Sequence, residues 1–177
     1  MRRRGGYNAP MPDSTKTAIR PATEADLAAI TDIYNEAVQN TTATFDTETK
    51  TVEDRLAWYN AHGPRHPVLV IEQEGQVAGW GSLSAWSDRR AYDSTVETTI
   101  YIAATHRGLG LGTKLNNALI ETARENGFHT VIARITAGSD ASIRLHERCG
   151  FEHVGTMKEV GHKFGQHLDV HVMQLML

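Results

Sequence analysis

The sequence predicts a single α/β domain, and three observations predict it. At 177 residues with 40% hydrophobic content, the chain has material for one substantial core and not for two. Runs of β-branched residues alternate with stretches whose apolar residues recur at helical spacing. One such run empties into closely spaced glycines, Gly108, Gly110 and Gly112, and then into a helix. That junction leaves helix-start amides pointing outward.

In chain order, Thr17 to Arg20 reads as a short strand. A helix then starts at Thr23, whose hydroxyl can cap it, with Asp26 at the positive dipole end. Leu27, Ile30, Ile33, Tyr34, Ala37 and Val38 carry its apolar face. Gln39 to Lys50 is a polar, threonine-rich loop with one aromatic, Phe45. A second helix begins at Thr51, with Asp54 completing a capping box and Leu56, Trp58 and Tyr59 as its apolar content. Val68 to Gln73 and Gln76 to Ala85 form a hairpin about Glu74-Gly75, and Ser94 to Ala103 is a third strand of this set. The helix after the glycines, about 112 to 126, stops at Gly127. His129 to Thr136 is a strand, Ser139 to Arg148 a short helix, and Glu152 to Val160 and His167 to Leu175 two strands joined through Gly161 to Gly165.

Charge and cysteine content restrict the partners. A formal charge of -3 and a pI near 6.3 give no extended basic surface, so nucleic acid held through phosphates is disfavoured. The single cysteine, Cys149, permits no internal disulfide, which makes a reducing cytoplasm the expected compartment, and it reads as a small buried residue. Met1 to Asp13 lacks the apolar run of a signal peptide despite Arg2, Arg3 and Arg4, and no stretch has transmembrane length. Residues 1–16 read as a flexible tail and 17–177 as the folded unit. No metal is expected: His-Glu-x-x-His is absent, and His167 and His171 have only Asp169 beside them. Trp58, Trp80 and Trp86 read as core or pocket wall.

The glycine junction alone supports an anion site or a plain turn. It has no Gly-Lys-Ser/Thr ending, which counts against a P-loop, and it comes too late for the opening of a dinucleotide-binding domain. Arg107-x-x-Gly110-x-Gly112 after a strand resembles the signature loop of the GCN5-related N-acetyltransferases. The element order over residues 18–177 is also that family's order. Within the family, several separated runs resemble the phosphinothricin and methionine sulfoximine N-acetyltransferase branch. They are Ala91-Tyr92-Asp93, Thr95-Val96-Glu97, Tyr101, His106, Gly110-Leu111-Gly112, Ser142 to Glu147, and Gly161-His162-Lys163 with Asp169.

This resemblance implies one mixed, mostly antiparallel sheet of six to seven strands flanked by about four helices, with acetyl-CoA as co-substrate. It implies that the backbone of Ile100, Tyr101 and Ile102 pairs with the pantetheine arm. The loop from Arg107 through Gly108, Leu109, Gly110, Leu111 and Gly112 to Thr113 should hold the pyrophosphate. Ser139 stands where the wider family often has a CoA-contacting asparagine.

Acetyl transfer from a thioester needs a free amine, a stabilised oxyanion and a proton for the thiolate. By the same resemblance Glu97 is the general base, in a strand of otherwise neutral residues that would raise its pKa, and the Ile102 amide meets the oxyanion. His146 is either the proton donor to the thiolate or a substrate ligand. Arg89 matches a substrate-contacting arginine, Tyr92 lies beside it, and Phe45 resembles a pocket aromatic. The implied partner is a small-molecule amine of the amino-acid type, without nucleic acid or membrane, and the implied assembly is a homodimer. Two other readings stand beside it: acetylation of a protein N-terminus or polyamine, and a non-catalytic acyl-CoA-binding module.

Overall fold

The computed structural model describes residues 17–177; the predicted N-terminal tail, residues 1–16, lies outside the described residues. Its strands are β1 (Thr17–Pro21), β2 (Val68–Gln73), β3 (Gln76–Ala85), β4 (Thr95–Ile102), β5 (Thr130–Thr136), β6 (Glu152–Lys163) and β7 (Gln166–Met176). They form one seven-stranded sheet in the order β1-β2-β3-β4-β5-β7-β6. Every pair is antiparallel except β4 and β5. The four helices are α1 (Leu27–Asn40), α2 (Val52–Asn60), α3 (Leu111–Glu125) and α4 (Asp140–Arg148). A parallel pair cannot be joined by a tight turn, so α3 serves as the crossover between β4 and β5. None of the described helices is long and apolar enough to cross a membrane.

Each sheet face has its own core. Leu111, Leu115, Leu119, Ile120 and Ala123 of α3 pack with Val96, Val131, Ala133, Phe151 and Met173. On the opposite face Leu27, Ile30 and Ile33 of α1 meet Val68, Val70 and Trp80, with Trp58 and Tyr59 of α2 beside them. Full burial of a large apolar side chain contributes about 1.5–3 kcal/mol, so these two layers fix where α1 and α3 sit.

The capping signals have mixed outcomes. The Thr51 hydroxyl accepts from the Asp54 amide, and the Asp54 carboxylate accepts from the Thr51 amide, as the sequence predicts. At Thr23 a 3-10 turn over Glu24–Asp26 precedes α1, and the Thr23 amide and hydroxyl both donate to the Asp26 carboxylate. The β6–β7 hairpin is also tighter than the glycines suggest. β6 runs on to Lys163, and only Phe164 (φ 52°) and Gly165 (φ 72°) form the turn. Two left-handed residues match the twist of the flanking strands, so the pairing extends to the turn.

Candidate active site

The site begins where the sheet opens. β4 and β5 pair only through Thr95–Thr130, Val96–Val131 and Glu97–Ile132. Beyond Glu97 they part, while β4 keeps its partner β3 and β5 keeps β7. The Ala103 amide donates to the Ala78 carbonyl, and the Trp86 amide to the Thr95 carbonyl. Antiparallel pairs alternate between bonded and non-bonded, so Glu97, Thr99 and Tyr101 spend their backbone groups on β3. Ile100 therefore turns its N–H and C=O groups, and Ile102 its N–H, into the opening. This corrects one expectation: a chain lying in the slot can pair with Ile100 and Ile102, but Tyr101 is engaged by Trp80. Tyr101 contributes its ring, which lines the slot and stands edge-on to Tyr34. Burial pushes its phenol pKa upward, so the hydroxyl stays a neutral donor, here to the Ala43 carbonyl.

At the C-terminal end of β4 the glycine loop leads into α3. Gly108 (φ 80°) and Gly110 (φ 75°) are left-handed, a conformation that costs other residues about 1–2 kcal/mol. Gly112 serves a different purpose. A Cβ there would stand 2.6 Å from Leu145 Cδ1, so its absence lets α4 approach the first turn of α3. The first-turn amides have no intrahelical acceptor and face a cavity of about 480 Å³. Gly108, Gly110, Leu111, Gly112 and Thr113 line it, and Arg144 and Arg148 of α4 add positive charge. Those two arginines were not singled out in the sequence; their i, i+4 spacing on α4 was the available signal. Leu109 is exposed and outside the lining. The Arg107 backbone belongs to the loop, but its guanidinium turns back, donating to the Ile102 carbonyl (3.1 Å) and to Glu36 (2.5 Å). An amide cradle with cationic flanks and an open sheet edge fits the phosphates and extended arm of acetyl-CoA.

A second cavity, of about 580 Å³, lies at the other end of the slot, and the two cavities share Ile100, Ser142 and His146. Phe45, Glu97, Arg134 and Ser139 are in its wall. Ser139 lines this cavity, three residues before Ser142, where the two cavities join. Phe45 is held there because position 161 is glycine: a methyl at Gly161 would run into the Phe45 ring. Three side chains from three strands fix the loop that carries it. Thr136 donates to the Thr42 carbonyl (2.7 Å), Tyr101 to that of Ala43 (3.4 Å), and Lys163 to that of Thr44 (2.8 Å). Lys163 is 3% exposed, and burial lowers its ammonium pKa. Arg89 and Tyr92 lie at a 3-10 turn before β4, exposed and outside the lining of both cavities.

Glu97 does not stand among neutral residues. Arg134 of β5 donates from Nε to Oε1 (2.6 Å) and from Nη2 to Oε2 (2.8 Å), so a guanidinium fork occupies both carboxylate oxygens. Arg134 was missed in the sequence, although a charged residue inside an otherwise apolar strand was a visible anomaly.

His146 is 6% exposed, with its ring edge-on to Phe151 at 5.0 Å. Its Nδ1 lies 2.8 Å from the Ser142 carbonyl, and a carbonyl can only accept, so Nδ1 carries the hydrogen. Burial holds the imidazole below its usual pKa, so the neutral ring keeps a lone pair on Nε2. This has a measurable consequence. Below about 6.5 the unfolded chain takes up a proton that the folded chain refuses, so His146 makes stability fall as pH drops from 6.5 towards its lowered folded value. Urea midpoints at about pH 7.5 and about pH 5.5 should separate in the parent and separate less in His146→Asn, where the half-buried His66, also held below its usual pKa, still contributes. Equal separation in both would show that His146 does not titrate in this way.

The model of the Acetyltransferase (GNAT) family matches residues 29–151. The chain is 45% identical over 160 residues to an L-methionine sulfoximine/L-methionine sulfone acetyltransferase of Salmonella typhimurium, covering 90% of this chain and 94% of that one. It is 40% identical over 164 residues to a phosphinothricin N-acetyltransferase of Streptomyces coelicolor, covering 90% and 96%. Among solved structures, a Salmonella typhimurium acetyltransferase with its cofactor acetyl-CoA superposes with a TM-score of 0.89 at 44% identity, covering 92% of this chain and 95% of the other. The match spans the open sheet, the glycine loop and the slot between them: the chain belongs to the acetyltransferase (GNAT) family and is an acetyl-CoA-dependent N-acetyltransferase.

Proposed function

We propose that the acceptor is the α-amine of a small amino-acid-like compound of the methionine sulfoximine, methionine sulfone or phosphinothricin type. The observation that carries this reading is the cavity whose wall holds the Glu97 carboxylate and which meets the glycine-loop cavity at Ile100, Ser142 and His146. The relatives named for such substrates support it.

When bound, acetyl-CoA supplies the thioester carbonyl. The amides from Gly108 to Thr113, with Arg144 and Arg148, would hold its phosphates, and the free backbone of Ile100 would align its arm. The Ile102 N–H would be the hydrogen-bond donor to the thioester oxygen. Glu97 takes the proton that frees the amine lone pair. His146, with hydrogen on Nδ1, offers Nε2 as an acceptor, which favours a hydrogen bond to the incoming amine over proton donation from the resting state.

Residues 17–177 are the catalytic unit in this reading, acting in the cytoplasm as a homodimer and conferring resistance to inhibitors of this amino-acid class. Edge strand β6 supports the dimer, because Val154, Met157 and Val160 are exposed along it and the latter two also line the acceptor cavity. Sedimentation at micromolar concentration checks this, and a monomer throughout would count against it.

The reading itself is tested by thiol release from acetyl-CoA in the presence of methionine sulfone, phosphinothricin, a peptide with a free N-terminus and a polyamine. The amino acids should be turned over fastest. Turnover confined to the peptide or polyamine would replace the reading, and CoA binding without turnover of any amine would leave only a binding module.

A further inference from the structure

Arg134 and Glu97 form a matched pair of opposite charges in the wall of the acceptor cavity. The Arg134 side chain is 51% exposed and that of Glu97 17%, so the guanidinium is the more accessible and displaceable member. Nothing buried requires an arginine at this position. Its guanidinium carbon lies 5.8 Å from the centre of the Trp86 ring, a contact that tolerates movement of the fork across the ring face. Two charge-assisted bonds hold the pair together, and an incoming ligand must replace both to separate it without loss.

An α-amino acid carries the complement of this pair on one carbon, a carboxylate for the guanidinium and an ammonium for the carboxylate. We infer that Arg134 is the receptor for the substrate's α-carboxylate and that its transfer from Glu97 to that carboxylate uncovers the base. This rests on the proposed amino-acid acceptor and sharpens it. Both charged bonds of the fork are retained after the exchange, and the Glu97 oxygens become free to accept from the amine. An amine without a neighbouring carboxylate leaves Arg134 on Glu97 and meets an occupied base. Selectivity for free amino acids thus arises from what the resting pair withholds as much as from what it binds.

Methionine sulfone and its carboxamide, compared at equal free-amine concentration because the amide's ammonium is the more acidic, provide the test. The parent enzyme should prefer the acid by about 10²-fold or more in kcat/KM, as expected of a site built around a polar group of its substrate. In Arg134→Gln that preference should collapse to within about threefold, mainly through a higher KM for the acid. Arg134→Lys, which keeps the charge but loses the fork, should fall between them. Unchanged acetyl-CoA affinity and melting temperature show that the variants are folded. If the parent acetylates acid and carboxamide equally, or if Arg134→Gln keeps the parent's preference, the inference fails while the amino-acid reading stands. A parent enzyme that acetylates only amines lacking a carboxylate would overturn both.

Discussion

Replacing Glu97 with glutamine is expected to lower kcat by about 10²–10⁴-fold, the usual range for a general base, and to leave the affinity for acetyl-CoA unchanged. The side chain lines the cavity away from the glycine loop, whereas the proposed cofactor site is made by that loop, α4 and the free edge of β4. Glutamine keeps the size of the side chain and one acceptor oxygen for Arg134, so the fold should hold, but it cannot take a proton. The residual rate should climb with pH as solvent hydroxide, and no longer the enzyme, supplies free amine. An unaltered rate and pH profile would remove Glu97 as the base and transfer attention to His146, which lies where the two cavities join.

Gly110→Asp is expected to raise the KM for acetyl-CoA by about 10²-fold, because it sets a negative charge where the loop receives phosphates. Gly110 has φ 75° immediately before α3, and a Cβ built there meets nothing within 4 Å. Asp tolerates the left-handed region better than most residues, so the backbone cost stays near 1 kcal/mol. Gly110→Asn provides the control, with the same shape and backbone cost and no charge. Its KM should stay within about fivefold of the parent, and the gap between the two variants should narrow as salt rises. Equal behaviour of Asp and Asn at all salt concentrations would show that this loop does not bind an anion.

The parts of the site that follow from local pattern were legible in the sequence. The strand into the glycines, the helix ended by Gly127, and Glu97 on that strand all depend on residues close together in the chain. Contacts between distant segments were not. Arg134 reaches Glu97 across 37 residues, and Arg107 reaches Glu36 across 71, and neither choice of partner leaves a trace in periodicity. Tyr101 was assigned a backbone role because a strand shows which side chains alternate but not which edge its amides face. That is set by register with β3 and by where β5 departs. Lys163 belonged to a run that matched the family, yet its work of holding the Phe45 loop appears only once β6 lies beside that loop.

The central claim is that cofactor and amine meet in the slot that opens where β5 leaves β4. Amide-resolved hydrogen exchange with and without acetyl-CoA tests it most directly. Slowed exchange is predicted at Ile100 and Ile102, whose N–H groups face the slot, and at Gly108 to Thr113, with Tyr101 changing little because its amide already donates to β3. Protection that bypasses Ile100 and Ile102, or that appears equally at Tyr101, would contradict it.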